Sequence, residues 1–168
     1  VNNRLNRLSD VNNRLNRLSD VNNRLNRLGL MIIVKKSPFL YKNLTYEIIG
    51  AAMEVHRELG PGFLESLYEK AFTMELRLRK INVEVQKRIT VKYKGSIIGK
   101  HILDMLIEGK VIVELKVVQE LNKIFEAQLI SYMKATGCRI GLLINFAQES
   151  LEYKRILLKD NLLEPKSV

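Results

Sequence analysis

Near residue 80 the spacing of apolar side chains changes from helical to extended, and few architectures accommodate the change. From Leu44 to Leu59, the residues Ile48, Ile49, Ala52, Met53, His56 and Leu59 recur at helical spacing, and Gly60-Pro61-Gly62 ends that helix. A second amphipathic run from Leu64 to about Arg79 carries Leu67, Tyr68, Ala71, Phe72 and Leu76. Beyond it the period becomes two. Val83, Val85, Ile89, Val91 and Tyr93 alternate with Glu84, Gln86, Arg88, Thr90 and Lys92, which predicts a strand with one wet face. Lys94-Gly95 marks a turn. The stretches 97–107 and 110–118 are apolar on both faces and read as interior strands. A helical stripe returns with Leu121, Ile124, Phe125, Gln128, Leu129, Tyr132 and Thr136, closed by Gly137. Ile140 to Phe146 is a further buried strand, Leu151 to Leu158 an edge strand or a short helix, and the tail after Leu163 reads as loose. The order ααβββαβ predicts an α/β fold with a mixed central sheet flanked by helices.

The 168 residues suit one domain plus an appendage, and 46% hydrophobic composition suffices for a core. Residues 1–20 are two identical copies of Val-Asn-Asn-Arg-Leu-Asn-Arg-Leu-Ser-Asp, and a third begins at Val21. Apolar positions Val1, Leu5, Leu8 and Val11 step by 4, 3 and 3, tighter than a heptad seam. We treat 1–30 as a decapeptide-repeat appendage: a flexible leader, a short coil that would make a homo-oligomer, or a basic arm. The domain then runs over 31–168, from Met31, with its core at 44–157.

Composition narrows the chemistry. Nothing approaches an apolar run long enough to span a membrane, and the first residues lack the charged-then-apolar layout of a secretory signal, so a cytoplasmic protein without a membrane partner is expected. Cys138 is the only cysteine and there are two histidines, which leaves no disulfide and no cysteine zinc site. Any metal would be bound by oxygen. The net charge of +10 suits a polyanionic partner, although general solubility explains charge equally well.

The sharpest local anomaly is Lys110-Val-Ile-Val-Glu-Leu-Lys-Val-Val118, where Glu114 and Lys116 share one face of a buried strand. Buried charges need partners, and the nearest candidate is Asp104 on the preceding strand. A two-residue loop would send the acids to opposite faces. A three-residue loop, Ile107-Glu108-Gly109 with Gly109 left-handed, pairs Asp104 with Ile112 and puts both on one face, and the odd loop or a bulge is expected. Two carboxylates on one face suit a hard cation between them, magnesium or manganese, with Lys116 holding a water or phosphate oxygen. The alternative is a buried ion pair without metal. Gln128 and Tyr132, one helical turn apart, need polar partners inside or are satisfied core residues. Glu65, beside Tyr68 on the second helix, is a solvated acid or reaches the same site, and His56 on an apolar face reads as a core histidine.

Taken together, Asp104 with Glu114-Leu115-Lys116 resembles the D…ExK signature of the PD-(D/E)XK nuclease superfamily. Gln128-Leu-Ile-Ser-Tyr132 is similar to the QxxxY motif of its RecB-like branch, and Gly62-Phe-Leu-Glu65-Ser-Leu-Tyr68 resembles the motif of the bacterial GxxExxY family. The likeness runs from about Leu44 to Leu157, and departs from the pattern at Ile-Leu before Asp104, where the superfamily name has proline. It implies a restriction-endonuclease-like fold and a Mg²⁺- or Mn²⁺-dependent nuclease acting on nucleic acid, DNA before RNA. Asp104, Glu114, the Leu115 carbonyl and Glu65 would serve the metal. Lys116 would act on the attacking water, and Gln128, Tyr132 and Tyr68 would orient the site or contact nucleic acid. The alternative is a nuclease-fold module that binds nucleic acid or protein without cleaving.

Overall fold

The structure is a computed structural model that describes residues 40–158. The decapeptide repeat, Met31 and the tail after Leu163 lie outside the described residues. The element order is α1 (Lys42–Leu59), α2 (Glu65–Leu78), β1 (Val83–Tyr93), β2 (Ser96–Ile107), β3 (Val111–Lys116), α3 (Lys123–Thr136), β4 (Ile140–Asn145) and β5 (Glu152–Leu157). This is the expected ααβββαβ series, closed by an edge strand at the position where sequence left strand and helix open. No described helix is long and apolar enough to cross a membrane.

The strands form one sheet in the order β1-β2-β3-β4-β5. Its pairs are antiparallel except β3 with β4, which is parallel because α3 supplies the crossover between them. Two apolar layers cover it. On one face Ile48, Ala52, Val55, Phe72 and Leu76 of α1 and α2 pack on Met105, Val113 and Leu142. On the other, Leu129 and Met133 of α3 pack on Leu103, Ile112 and Leu143. Here α3 lies very close to β4: a Cβ on Gly141 would stand 2.7 Å from Met133 Sδ and 2.9 Å from Leu129 Cγ. The helix is fixed at both ends. Asn122 accepts hydrogen bonds from the N–H groups of Ile124 and Phe125, and Gly137, at φ 78°, closes the last turn onto the Met133 carbonyl.

Several apolar residues expected inside are exposed. The buried stripe of α1 runs through Thr45, Ile48, Ala51, Ala52, Val55 and His56, leaving Met53 and Leu59 at its wet margin. On α2 the buried row starts at Tyr68, and Leu64 and Leu67 face water. The largest correction concerns β2. Leu103, Met105 and Ile107 are fully buried, but Ile97 and Ile98 are 67% and 64% exposed. The first half of the strand pairs only with β1, in a hairpin that projects past the rest of the sheet.

Candidate active site

The hairpin between β2 and β3 sets where the acids stand. Its Ile107 carbonyl accepts from the Lys110 N–H at 2.9 Å, and Glu108 and Gly109 both adopt left-handed conformations, with φ 52° and 62°. Ile107 pairs with Val111, so the odd loop is present, though it consists of Glu108, Gly109 and Lys110. The register therefore differs from the expected one: Leu106 lies opposite Ile112. Carried one step beyond Met105–Val113, this register brings Asp104 level with Glu114.

At that level the sheet forks. Only Met105 to Ile107 of β2 pair with β3, whereas every residue of β3 from Val111 to Lys116 pairs with β4. A strand that loses one neighbour leaves backbone groups to satisfy. The Leu115 N–H finds the Asp104 carboxylate, donating to Oδ2 at 2.8 Å. On the far side, Gln86 of β1 adopts φ 52° between the pairs Val85–Met105 and Lys87–Leu103. There the strands turn over: Val85 and Met105 pack toward α1 and α2, while Ile89 and Leu103 pack toward α3. Strict alternation would have kept them on one face.

The fork is dense in charge. Glu114 is 4% exposed and its Oε1 accepts from the Lys116 ammonium at 2.8 Å, while Oε2 is buried with no hydrogen-bond partner. The ammonium also donates to the Leu115 carbonyl at 2.9 Å and lies 5.6 Å from the centre of the Phe125 ring. Burial raises the Glu114 pKa; the Lys116 hydrogen bond opposes that, and the Asp104 charge adds to it. For Lys116, burial works against the charge, but the Glu114 hydrogen bond and the charges of Glu114, Asp104 and Glu65 prevail, so its pKa is raised. One ammonium, bonded to Glu114, thus stands in the field of three carboxylates. The site is short of positive charge.

Both helical layers reach this point. Glu65, in the first turn of α2, feels Lys116 and Asp104 and accepts from the Val117 backbone; burial is the main cause of its raised pKa. From the other face Tyr132 comes near Glu114, Lys116 and Asp104, and its hydroxyl accepts from Gln128. Burial raises the Tyr132 pKa against that hydrogen bond. The structure therefore brings together Asp104, Glu114, Leu115, Lys116, Glu65, Gln128 and Tyr132. Tyr68 stands apart: it is fully buried, stacks 4.6 Å from Phe146 and donates to the Gly60 carbonyl at 2.6 Å. It secures the turn from which α2, and hence Glu65, begins. His56 is the core histidine expected, bonded through Nε2 to the Gln148 carbonyl at 2.8 Å.

Three further residues shape the site. Glu69 and Gln86 hydrogen-bond to each other and line a 140 Å³ cleft with Glu65, Ser66, Asp104 and Leu115. Glu69 follows Glu65 by one helical turn, a spacing that could have signalled it; Gln86 looks like any residue of a wet strand face. Fully buried Asn145 donates to the Val118 carbonyl at 2.8 Å and accepts from the Val118 N–H at 3.1 Å, which fixes the chain leaving Lys116. A lone Asn at the end of an apolar strand carried no signal of that clamp.

Among the described residues no three acidic, histidine or cysteine side chains converge as a ready metal cluster. The groups present at this level are nonetheless of the kind a hard cation takes, the carboxylates of Asp104 and Glu114 and the Leu115 carbonyl, with one buried carboxylate oxygen lacking a hydrogen-bond partner.

A family model described as the PD-(D/E)XK nuclease superfamily matches residues 42–156. Among solved structures, one titled "Crystal structure of SSO0001" is similar at a TM-score of 0.44 and 13% identity, covering 58% of this chain and 52% of that one. The likeness thus spans about half the length of that chain. No curated protein matches.

Proposed function

The chain belongs to the PD-(D/E)XK nuclease superfamily, and on that premise we propose that it is a divalent-metal-dependent nuclease that hydrolyses phosphodiester bonds in DNA. The observation that carries this reading is the buried, unpartnered Oε2 of Glu114, beside a lysine bonded to Glu114 and standing in the field of Asp104 and Glu65. A structural ion pair would be expected to satisfy both oxygens, because an orphaned buried acceptor costs about 1–3 kcal/mol. Asp104, Glu114 and the Leu115 carbonyl would hold Mg²⁺ or Mn²⁺, with Glu65 as a further acid. Bound there, the cation supplies Lewis acidity toward a phosphoryl oxygen and a more acidic water.

The chain's own groups do the rest. Lys116, held between Glu114 and the Leu115 carbonyl, places a positive charge where a phosphate oxygen gains negative charge, and its hydrogens can orient the attacking water. In the hydrolysis that water's oxygen bonds to phosphorus, one P–O ester bond breaks, and the departing oxygen takes up a proton. Gln128 and Tyr132 border the fork on the α3 side, where they can orient the strand being cut. Tyr68 acts at a distance, by fixing the Gly60–Phe63 turn ahead of Glu65. The grouping of Gly62, Glu65 and Tyr68 around one turn supports assignment to the GxxExxY group.

Calorimetric titration with Mg²⁺ and Mn²⁺ tests the reading on the wild type and on Asp104→Asn, followed by incubation of both with labelled DNA. Metal binding that the variant loses, with metal-dependent cutting by the wild type, is expected. Absence of both metal binding and cutting in the wild type would leave a binding module without catalysis, and equal metal binding by both proteins would remove Asp104 from the ligands.

A further inference from the structure

The projecting β1–β2 hairpin carries charge of one sign over most of its length. Residues 85–103 contain no Asp or Glu, yet they include Lys87, Arg88, Lys92, Lys94 and Lys100. The same segment exposes Tyr93, Ile97 and Ile98, each more than 60% accessible. Between this hairpin and α3 run two adjoining depressions of 260 and 490 Å³, which share Val91, Ser131 and Ala135. No acid lines either one. Lys100 borders the first, Lys92 and Lys134 the second, and none of these lysines forms an ion pair with a described residue. The first depression ends at His101 and Tyr132, whose rings stack with centroids 4.2 Å apart. Tyr132 in turn borders the fork.

Resting on the nuclease reading, we infer that this groove is the track of a single-stranded polynucleotide, running from Lys92 and Lys134 past Ile98 and His101 to Tyr132 and the fork. Basic side chains alone would serve duplex and single strand alike, because both present phosphates. Exposed apolar side chains interleaved with them favour the single strand, whose base faces are open to contact while those of a duplex are stacked away. Large exposed apolar side chains rimmed by charge mark an interaction surface. Here the surface is continuous with the acids.

The test measures binding by fluorescence anisotropy, in EDTA to prevent cutting, using labelled single-stranded DNA and RNA 20-mers and a 20-base-pair duplex over a salt series. The wild type is expected to bind a single strand about tenfold more tightly than the duplex. Lys92→Ala with Lys134→Ala should flatten the slope of log K against log salt for single strands by about 1.4, because two phosphate contacts are lost. Ile98→Ala should weaken single-strand binding severalfold and leave the slope unchanged. The DNA and RNA arms identify which sugar the groove takes. A duplex bound as tightly as the single strands, or variants that bind like the wild type, would overturn the inference. Failure of the nuclease reading looks different: strand binding with these variant effects, but no cutting when metal replaces EDTA. If the groove reading alone is wrong, the wild type still cuts with metal and the groove variants cut equally well.

Discussion

Both halves of β2 carry large aliphatic side chains, and those side chains meet opposite fates. Ile97 and Ile98 stand in water, whereas Leu103, Met105 and Ile107, a few residues on, are fully buried. The difference is in their neighbours. The first half has β1 alone, while the second is covered by helices on both faces. Asp104 lies at the boundary, where β2 parts from β3 and the backbone turns over at Gln86. A charged site can persist there because the fork opens the sheet enough for helices from both faces to reach it, while the core beneath keeps its geometry rigid. The charge sits at the edge of the core.

The largest effect expected from testing this contrast is on rate. Glu114→Gln removes a charge at the fork without changing shape, and metal-dependent cleavage should fall by about a thousandfold or more in single-turnover assays. Next come the two halves of the strand themselves. Leu103→Ala should cost about 2–5 kcal/mol in urea denaturation, as a cavity in a packed layer does, whereas Ile98→Ala should stay within about 0.5 kcal/mol. Equal costs would mean that the hairpin tip is covered in solution.

The smallest effect sharpens the claim that the fork is charged at the expense of stability. Burial holds the Glu114 pKa above its ordinary value in the folded protein, against the Lys116 hydrogen bond. A raised carboxyl favours folding at low pH, and that contribution is lost as pH rises through the raised value. Without metal, the Tm of Glu114→Gln should therefore gain on that of the wild type as pH rises above the ordinary carboxylate range. A constant difference would show that Glu114 is as well accommodated charged as neutral.

Much of this could be read from the chain, for reasons that also explain what could not. The helices and strands were legible because their apolar periods are local. Glu114 and Lys116 stood out because charges interrupt an apolar strand, and the odd hairpin loop followed from needing Asp104 near them. The exact register did not follow, because Glu108 joins Gly109 in a left-handed conformation that a non-glycine residue rarely adopts. The turnover at Gln86 was hidden for the same reason. The exposure of Ile97 and Ile98 was illegible because apolar composition reports what a strand could bury, and only tertiary pairing decides what it does bury. Asn145 gave no sign of its role, since its partners at Val118 lie far away in sequence.

We propose that the acids at the fork serve metal-dependent phosphodiester cleavage at some cost to the fold. That role is tested most directly by one paired measurement: cleavage of labelled DNA with Mg²⁺ or Mn²⁺ by wild type and Glu114→Gln, each with its metal-free Tm at neutral pH. Expected are a wild type that cuts only with metal and a variant that does not cut yet remains folded, with a Tm close to that of the wild type. A variant that cuts as fast as the wild type, or one that is inactive because it melts far lower, would contradict the proposal.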